Sequence, residues 1–143
     1  MELFPHANVA AGILVLIVGF GFHFVGQLIS LLDWDLAMRL GLQEKDAPPE
    51  FQVYERGTAA ADVAIGWIYG IAGVGLILGH PWGYKLAWIP GAVLVYHSFG
   101  AWFLFGNQTR AGYPLFTNRF RLLWCGANLV TGLLAVAVAW KGI

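Results

Sequence analysis

Charge is scarce in this sequence: of its 143 residues only 11% are Asp, Glu, Lys or Arg, less than half the share usual for a soluble domain. That excludes a water-soluble globule. Eight basic residues face eight acidic ones, for a formal net charge of zero, so there is no basic surface to hold a phosphate backbone, and a nucleic-acid partner is excluded. Cys125 is the single cysteine, which excludes an internal disulfide and any cysteine-cluster zinc site. No internal repeat or low-complexity tract is present. What remains is 59% hydrophobic residues with 19 glycines and a mean hydropathy of +0.67. The solvent for such a chain is a bilayer.

A helix needs about 20 mostly apolar residues to cross the hydrocarbon layer, and residues 8–32, 57–79, 84–105 and 117–140 each supply them. The expected fold is all-α: an integral membrane four-helix bundle forming one transmembrane domain over residues 1–143. Glu2 stands where a signal peptide would carry its basic segment and no A-x-A-like cleavage site follows, so the first stretch is expected to be an uncleaved span. The polar stretch 33–50 contains an amphipathic piece at 36–40, expected to lie as a short interfacial helix, and then a break at 47–49. Residues 79–83 are too few for more than a turn, which predicts that spans two and three are antiparallel neighbours. The glycine- and proline-containing segment 106–114 predicts a loop.

Arg39, Lys45, Arg56, Arg110, Arg119 and Arg121 fall on one side of these spans, and Lys85 and Lys141 on the other. Six against two places the longer loops in the cytoplasm and both termini outside, in a prokaryotic cytoplasmic membrane. Trp34 and Trp124 on one side, and Trp82 and Trp140 on the other, are expected in the interfacial belts. Membrane lipids are the expected surroundings, and a homo-oligomer is compatible with the sequence.

Helices in lipid associate through small residues that permit close approach and through polar groups that bond across the interface. At helical spacing, span one presents Gly12, Gly19, His23, Gly26 and Ser30, with Gln27 beside them. Span two presents Glu55, Ala59, Asp62, Gly66, Tyr69 and Gly73. Span three presents Pro90, Val93, His97, Gly100, Leu104 and Asn107, and span four Asn118, Arg121, Cys125, Asn128, Gly132, Ala135 and Ala139. Facing these stripes inward brings His23, Asp62 and His97 to about one depth at 1.5 Å per residue, with Glu55 at the cytoplasmic mouth beside Arg119 and Arg121.

An ionisable residue at membrane depth costs at least about 2.5–3.5 kcal/mol, which makes Asp62 the strongest single pointer to a site. Two histidines and a carboxylate can relay a proton near neutral pH, and the same set can ligate a transition metal. The candidate catalytic or metal-ligating residues are therefore His23, Asp62 and His97. The candidate ligand contacts are Glu55, Asn128, Arg121, Tyr69 and Trp67, with Tyr96 and Phe99 as further apolar wall. The expected function is binding or conversion of a small lipophilic ligand by acid/base or metal-assisted chemistry. Three other uses fit the same seam. One is a proton, ion or solute path in an oligomer. Another is a b-type haem held by His23 and His97, with Gly19, Gly26 and Gly100 leaving room. The last is a structural accessory subunit. Cys125 reads as a small apolar filler, and His6 and His80 as solvated surface residues.

The run Phe51-Gln52-Val53-Tyr54-Glu55-Arg56-Gly57, with His23 before it and His97 after it, resembles a family of small four-span bacterial and archaeal membrane proteins. That family has a His in the first helix, a Phe-Gln-x-x-Glu-x-Gly-like opening to the second and a His in the third. The resemblance covers residues 19–135 and implies that His23, Glu55 and His97 belong together; it implies no particular reaction. In its four-span plan and its Glu55-Arg56 pair the chain is also similar to the MAPEG superfamily of glutathione-dependent membrane enzymes. It departs from them in the next turn, where Gly57, Thr58, Ala59, Ala60, Ala61 and Asp62 replace an Arg-Ala-His-x-Asn-like run, so this likeness implies fold alone.

Overall fold

The computed structural model describes residues 3–45, 47–113 and 116–142; Glu2, Asp46 and Pro114, which entered the readings above, lie outside them. The described residues form helices and connecting turns, with no strand. Among the described residues four helices are long and apolar enough to cross a membrane: Ala7–Leu32, Pro49–Ile77, Pro81–Arg110 and Asn118–Lys141, here called the first to fourth spans.

The second and third spans start earlier than hydropathy alone indicates. Pro49 and Pro81 each occupy the first turn, where a missing N–H is no loss and the fixed φ favours the helix. The prolines expected to break the chain thus open a helix, and Phe51, Glu55 and Arg56 become helical. The third span also runs past its expected end: residues 106–110 continue the helix, and Thr109 Oγ1 donates to the Phe105 carbonyl at 2.9 Å. The first span is α-helical at both ends and π-helical over Val15–Gly26. Such widened turns are rare, and His23 sits in this one.

The expected stripes on spans one, two and four are buried from Gly12 to Ser30, from Ala59 to Gly73 and from Cys125 to Ala139. They pair off. Spans one and two pack on each other, as do spans three and four. A Cβ on Gly132 would lie 2.8 Å from the Gly91 carbonyl oxygen, and one on Gly12 would lie 2.6 Å from the Gly73 carbonyl oxygen. Each pair therefore closes only because those positions lack a side chain.

The two pairs are joined at one end, where Ala7, Ala11, Leu76, Ala87, Val138 and Ala139 form a buried cluster and Asn8 Nδ2 donates to the Leu76 carbonyl at 2.8 Å. Toward the other end they diverge. The third span buries Gly91, Leu94 and Ser98 against the fourth, and Ser98 Oγ donates to the Cys125 carbonyl at 2.8 Å. Of its expected seam only Pro90 is buried: Val93, His97, Gly100 and Leu104 line open space, and Asn107 is exposed.

After the first span, Asp33 caps a short helix, Trp34–Arg39, its Oδ1 accepting from the Leu36 N–H at 2.9 Å. Gly41 then turns with φ +73°, a value at which most side chains are strained. The chain folds back so that Gln43 Nε2 donates to Ser30 Oγ at 3.2 Å, bringing Gly41, Leu42 and Gln43 over the diverging end. Trp34 is buried there beneath the Arg56 guanidinium, 5.4 Å from its ring centre, rather than standing exposed as expected of the interfacial belt on that side. Trp124 also departs from a belt position, because its indole faces the interior beside His23.

Candidate functional site

The three residues singled out at one depth come together, each from a different span. His23 Nδ1 lies 3.2 Å from Asp62 Oδ2, and His97 Nε2 lies 2.9 Å from Asp62 Oδ1. The fourth span adds Asn128, whose Oδ1 is 2.7 Å from His23 Nε2. His23, Asp62 and Asn128 are buried, while the His97 side chain retains 19% of its exposure.

Asn128 determines how protons are placed. Its Nδ2 donates to the Trp124 carbonyl at 2.8 Å, so the atom turned to His23 is the oxygen, which can only accept. His23 Nε2 must therefore carry a hydrogen and donate it. The contact between His23 Nδ1 and Asp62 Oδ2 then needs one further proton, and the contact between His97 Nε2 and Asp62 Oδ1 needs another. Whether the first of these rests on the imidazole or on the acid, the three residues together carry no net charge as long as His97 Nδ1 is unprotonated. His97 Nδ1 has no protein partner among the described residues.

The His23 ring is held on its remaining sides as well. Trp124 stacks on it at 5.3 Å and Tyr69 meets it edge-on at 6.5 Å, while His97 lies against it at 4.6 Å between ring centres. With both rings touching and both turned to one carboxylate, no plane for a porphyrin lies between them, and Gly19 is filled by the Tyr69 ring. The other two glycines expected to leave room for haem, Gly26 and Gly100, line the cavity instead. A single metal ion is a different matter. Ligand atoms of His23, Asp62 and His97 lie within 4.8 Å of one another, and the far N–H of His23 is anchored on Asn128 in the way metal-bound imidazoles are oriented.

The cluster forms the inner end of a cavity of about 790 Å³ between the two helix pairs. Its walls are chiefly aliphatic and aromatic, with Phe22, Tyr54, Tyr96, Phe116, Phe120 and Trp124 among them, and Lys and Arg are absent from the described lining. Ser30, Gln43 and Thr58 lie nearer the diverging end. Tyr54 and Tyr96 on one flank, and Phe22 and Leu123 on the other, line the cavity while remaining exposed on the bundle surface. The space thus opens sideways between the pairs.

The other expected contacts divide. Glu55 lines this cavity, seven residues before Asp62 on the same span, but the expected neighbours Arg119 and Arg121 are not its partners. Arg119 is exposed, and the Arg121 guanidinium lies 3.9 Å over the Trp102 ring and donates to the Trp102 carbonyl. Tyr69 is fully buried behind His23 and outside the cavity lining. Trp67, expected beside the ligand, lies outside the cavity lining: it is 51% exposed on the outer face next to buried Gly66, with its indole N–H on the Ala64 carbonyl at 3.0 Å. Phe99 likewise points away, into a shallow groove it shares with Cys125. His6 and His80 are exposed. Sequence reasoning missed Trp124 as the wall behind His23, although its place one turn before Asn128 puts both on one face.

No protein-family model, curated protein or solved structure matches this chain.

Proposed function

We propose that this is an integral membrane protein that binds a small lipophilic ligand in the sideways-opening cavity and converts it by acid/base chemistry at His97. The observation that carries this reading is one partly exposed imidazole at the inner end of an apolar cavity, backed by a buried carboxylate that a second, immobilised imidazole also holds. A proton taken up at His97 Nδ1 gives an imidazolium whose Nε2–H is held by the Asp62 carboxyl group, and the same proton can be returned from Nδ1 to the ligand. Lateral exposure of the cavity suits a ligand arriving from the bilayer.

The six-to-two distribution of basic residues supports placing the Trp34–Arg39 helix at the cytoplasmic interface and both termini outside. A second reading of the same cluster is a divalent transition-metal site, supported by the 4.8 Å grouping and the Asn128 anchor. Elemental analysis of the purified protein decides it: about one ion per chain, lost in His97→Ala, is the outcome in its favour.

The ligand reading is tested by extracting the protein purified from native membranes with organic solvent and identifying small molecules by mass spectrometry. Wild type is expected to carry an apolar compound that Ala101→Trp, which fills the cavity, excludes. His97→Ala should retain that compound, and its membranes should accumulate it. Identical extracts from wild type and Ala101→Trp would overturn the proposal.

A further inference from the structure

Glu55 has no hydrogen bond or ion pair among the described residues, yet it is half-buried and faces the cavity. Asp62 differs, since both of its oxygens are taken up by imidazoles. The cations that would ordinarily neutralise an acid here are committed elsewhere or turned away: Arg56 lies over Trp34, Arg121 over Trp102, and Arg110 and Arg119 are exposed. While His97 Nδ1 carries no proton the His23, Asp62 and His97 cluster is neutral, and Glu55 is the remaining carboxylate of the described cavity lining. An ionised carboxylate in such surroundings is costly until a counter-charge reaches it.

Resting on the ligand reading above, we infer that the ligand is a cationic amphiphile, an apolar skeleton bearing a protonated amine that pairs with Glu55. The aromatic side chains of Tyr54, Tyr96, Phe116 and Phe120 line the same space, and aromatic surroundings favour an ammonium group further. A fatty acid would instead meet Glu55 with like charge, and a neutral alcohol would leave it uncompensated. Glu55 precedes Asp62 by two helical turns, roughly 10 Å along the axis. A ligand anchored at Glu55 by its amine therefore places atoms about that far along its skeleton beside His97.

The experiment uses the full chain in nanodiscs of zwitterionic lipid and three photo-crosslinkers with one 12-carbon diazirine tail, ending in an amine, an alcohol or a carboxylate. Labelled residues are mapped by mass spectrometry. The amine is expected to label cavity residues such as Leu104, Phe120 and Trp124 saturably, at about tenfold lower concentration than the alcohol, with the carboxylate weakest. In Glu55→Gln the amine should fall to the level of the alcohol, whose own labelling stays unchanged. Equal labelling by all three probes, or an amine preference that survives Glu55→Gln, overturns the cationic assignment while leaving the cavity reading intact. Absence of saturable cavity labelling by any probe overturns both.

Discussion

At the scale of single residues, the site is governed by an asparagine that lies outside the cavity lining. Because among the described residues the Asn128 oxygen is the only acceptor for His23 Nε2–H, Asn128→Leu strands a buried donor, and a loss of about 1–3 kcal/mol is expected, measured by thermal unfolding in detergent micelles. Asp62 allows a graded test. Asn at position 62 offers one oxygen and so can accept from only one of the two rings, whereas Leu accepts from neither. Stability should fall in the order wild type, Asp62→Asn, Asp62→Leu. The two tryptophans should behave oppositely: Trp67→Ala, on the exposed face, is expected to change stability by no more than about 0.5 kcal/mol, while Trp124→Ala uncovers the His23 ring. The meeting of His23, Asp62 and His97 was legible in the sequence, since polar residues in apolar helices stand out and helical rise gives their depth. The aim of each side chain was not. Both Trp67 and Trp124 read as large aromatics, and only the packing of neighbouring helices sends one outward and the other in.

At the scale of elements, the fold depends on close approach within each helix pair. Gly132→Val would drive a side chain into the Gly91 backbone and Val95, which is expected to cost about 1–3 kcal/mol. Gly126, where an added Cβ meets nothing within 4 Å, supplies the contrast. Gly126→Ala on the same helix should be neutral or stabilising by up to about 1 kcal/mol. The same unfolding assay checks both. The small-residue stripes of spans one, two and four could be read directly, because each lies against a neighbour. That of span three misled for a definite reason: periodicity marks the face turned away from lipid, and a cavity wall satisfies it as well as a packed interface does. Helix starts were misplaced where hydropathy was used alone, since Pro49 and Pro81 signal a first turn through backbone geometry rather than through apolar character. Nothing in the residue pattern of the first span announced its π-helical middle.

For the whole molecule, the decisive feature is two helix pairs joined at one end and parted at the other, with the single thiol buried inside one pair. Cys125 is 4% exposed, so a water-soluble maleimide should leave it unmodified in the folded protein and modify it fully after denaturation, as read by intact mass. Gly132→Val, by loosening the third and fourth spans, should speed that reaction. The proposed orientation is tested in a Cys125→Ser background with Lys45→Cys, which an impermeant maleimide should reach from the cytoplasmic side only. The lateral mouth also changes what an affinity for this protein means. A guest that comes in from the hydrocarbon equilibrates with the amount dissolved in that phase, so half-saturation expressed per litre of buffer will drift upward as more lipid dilutes it. Expressed as guest per lipid molecule, the same half-saturation will stay constant.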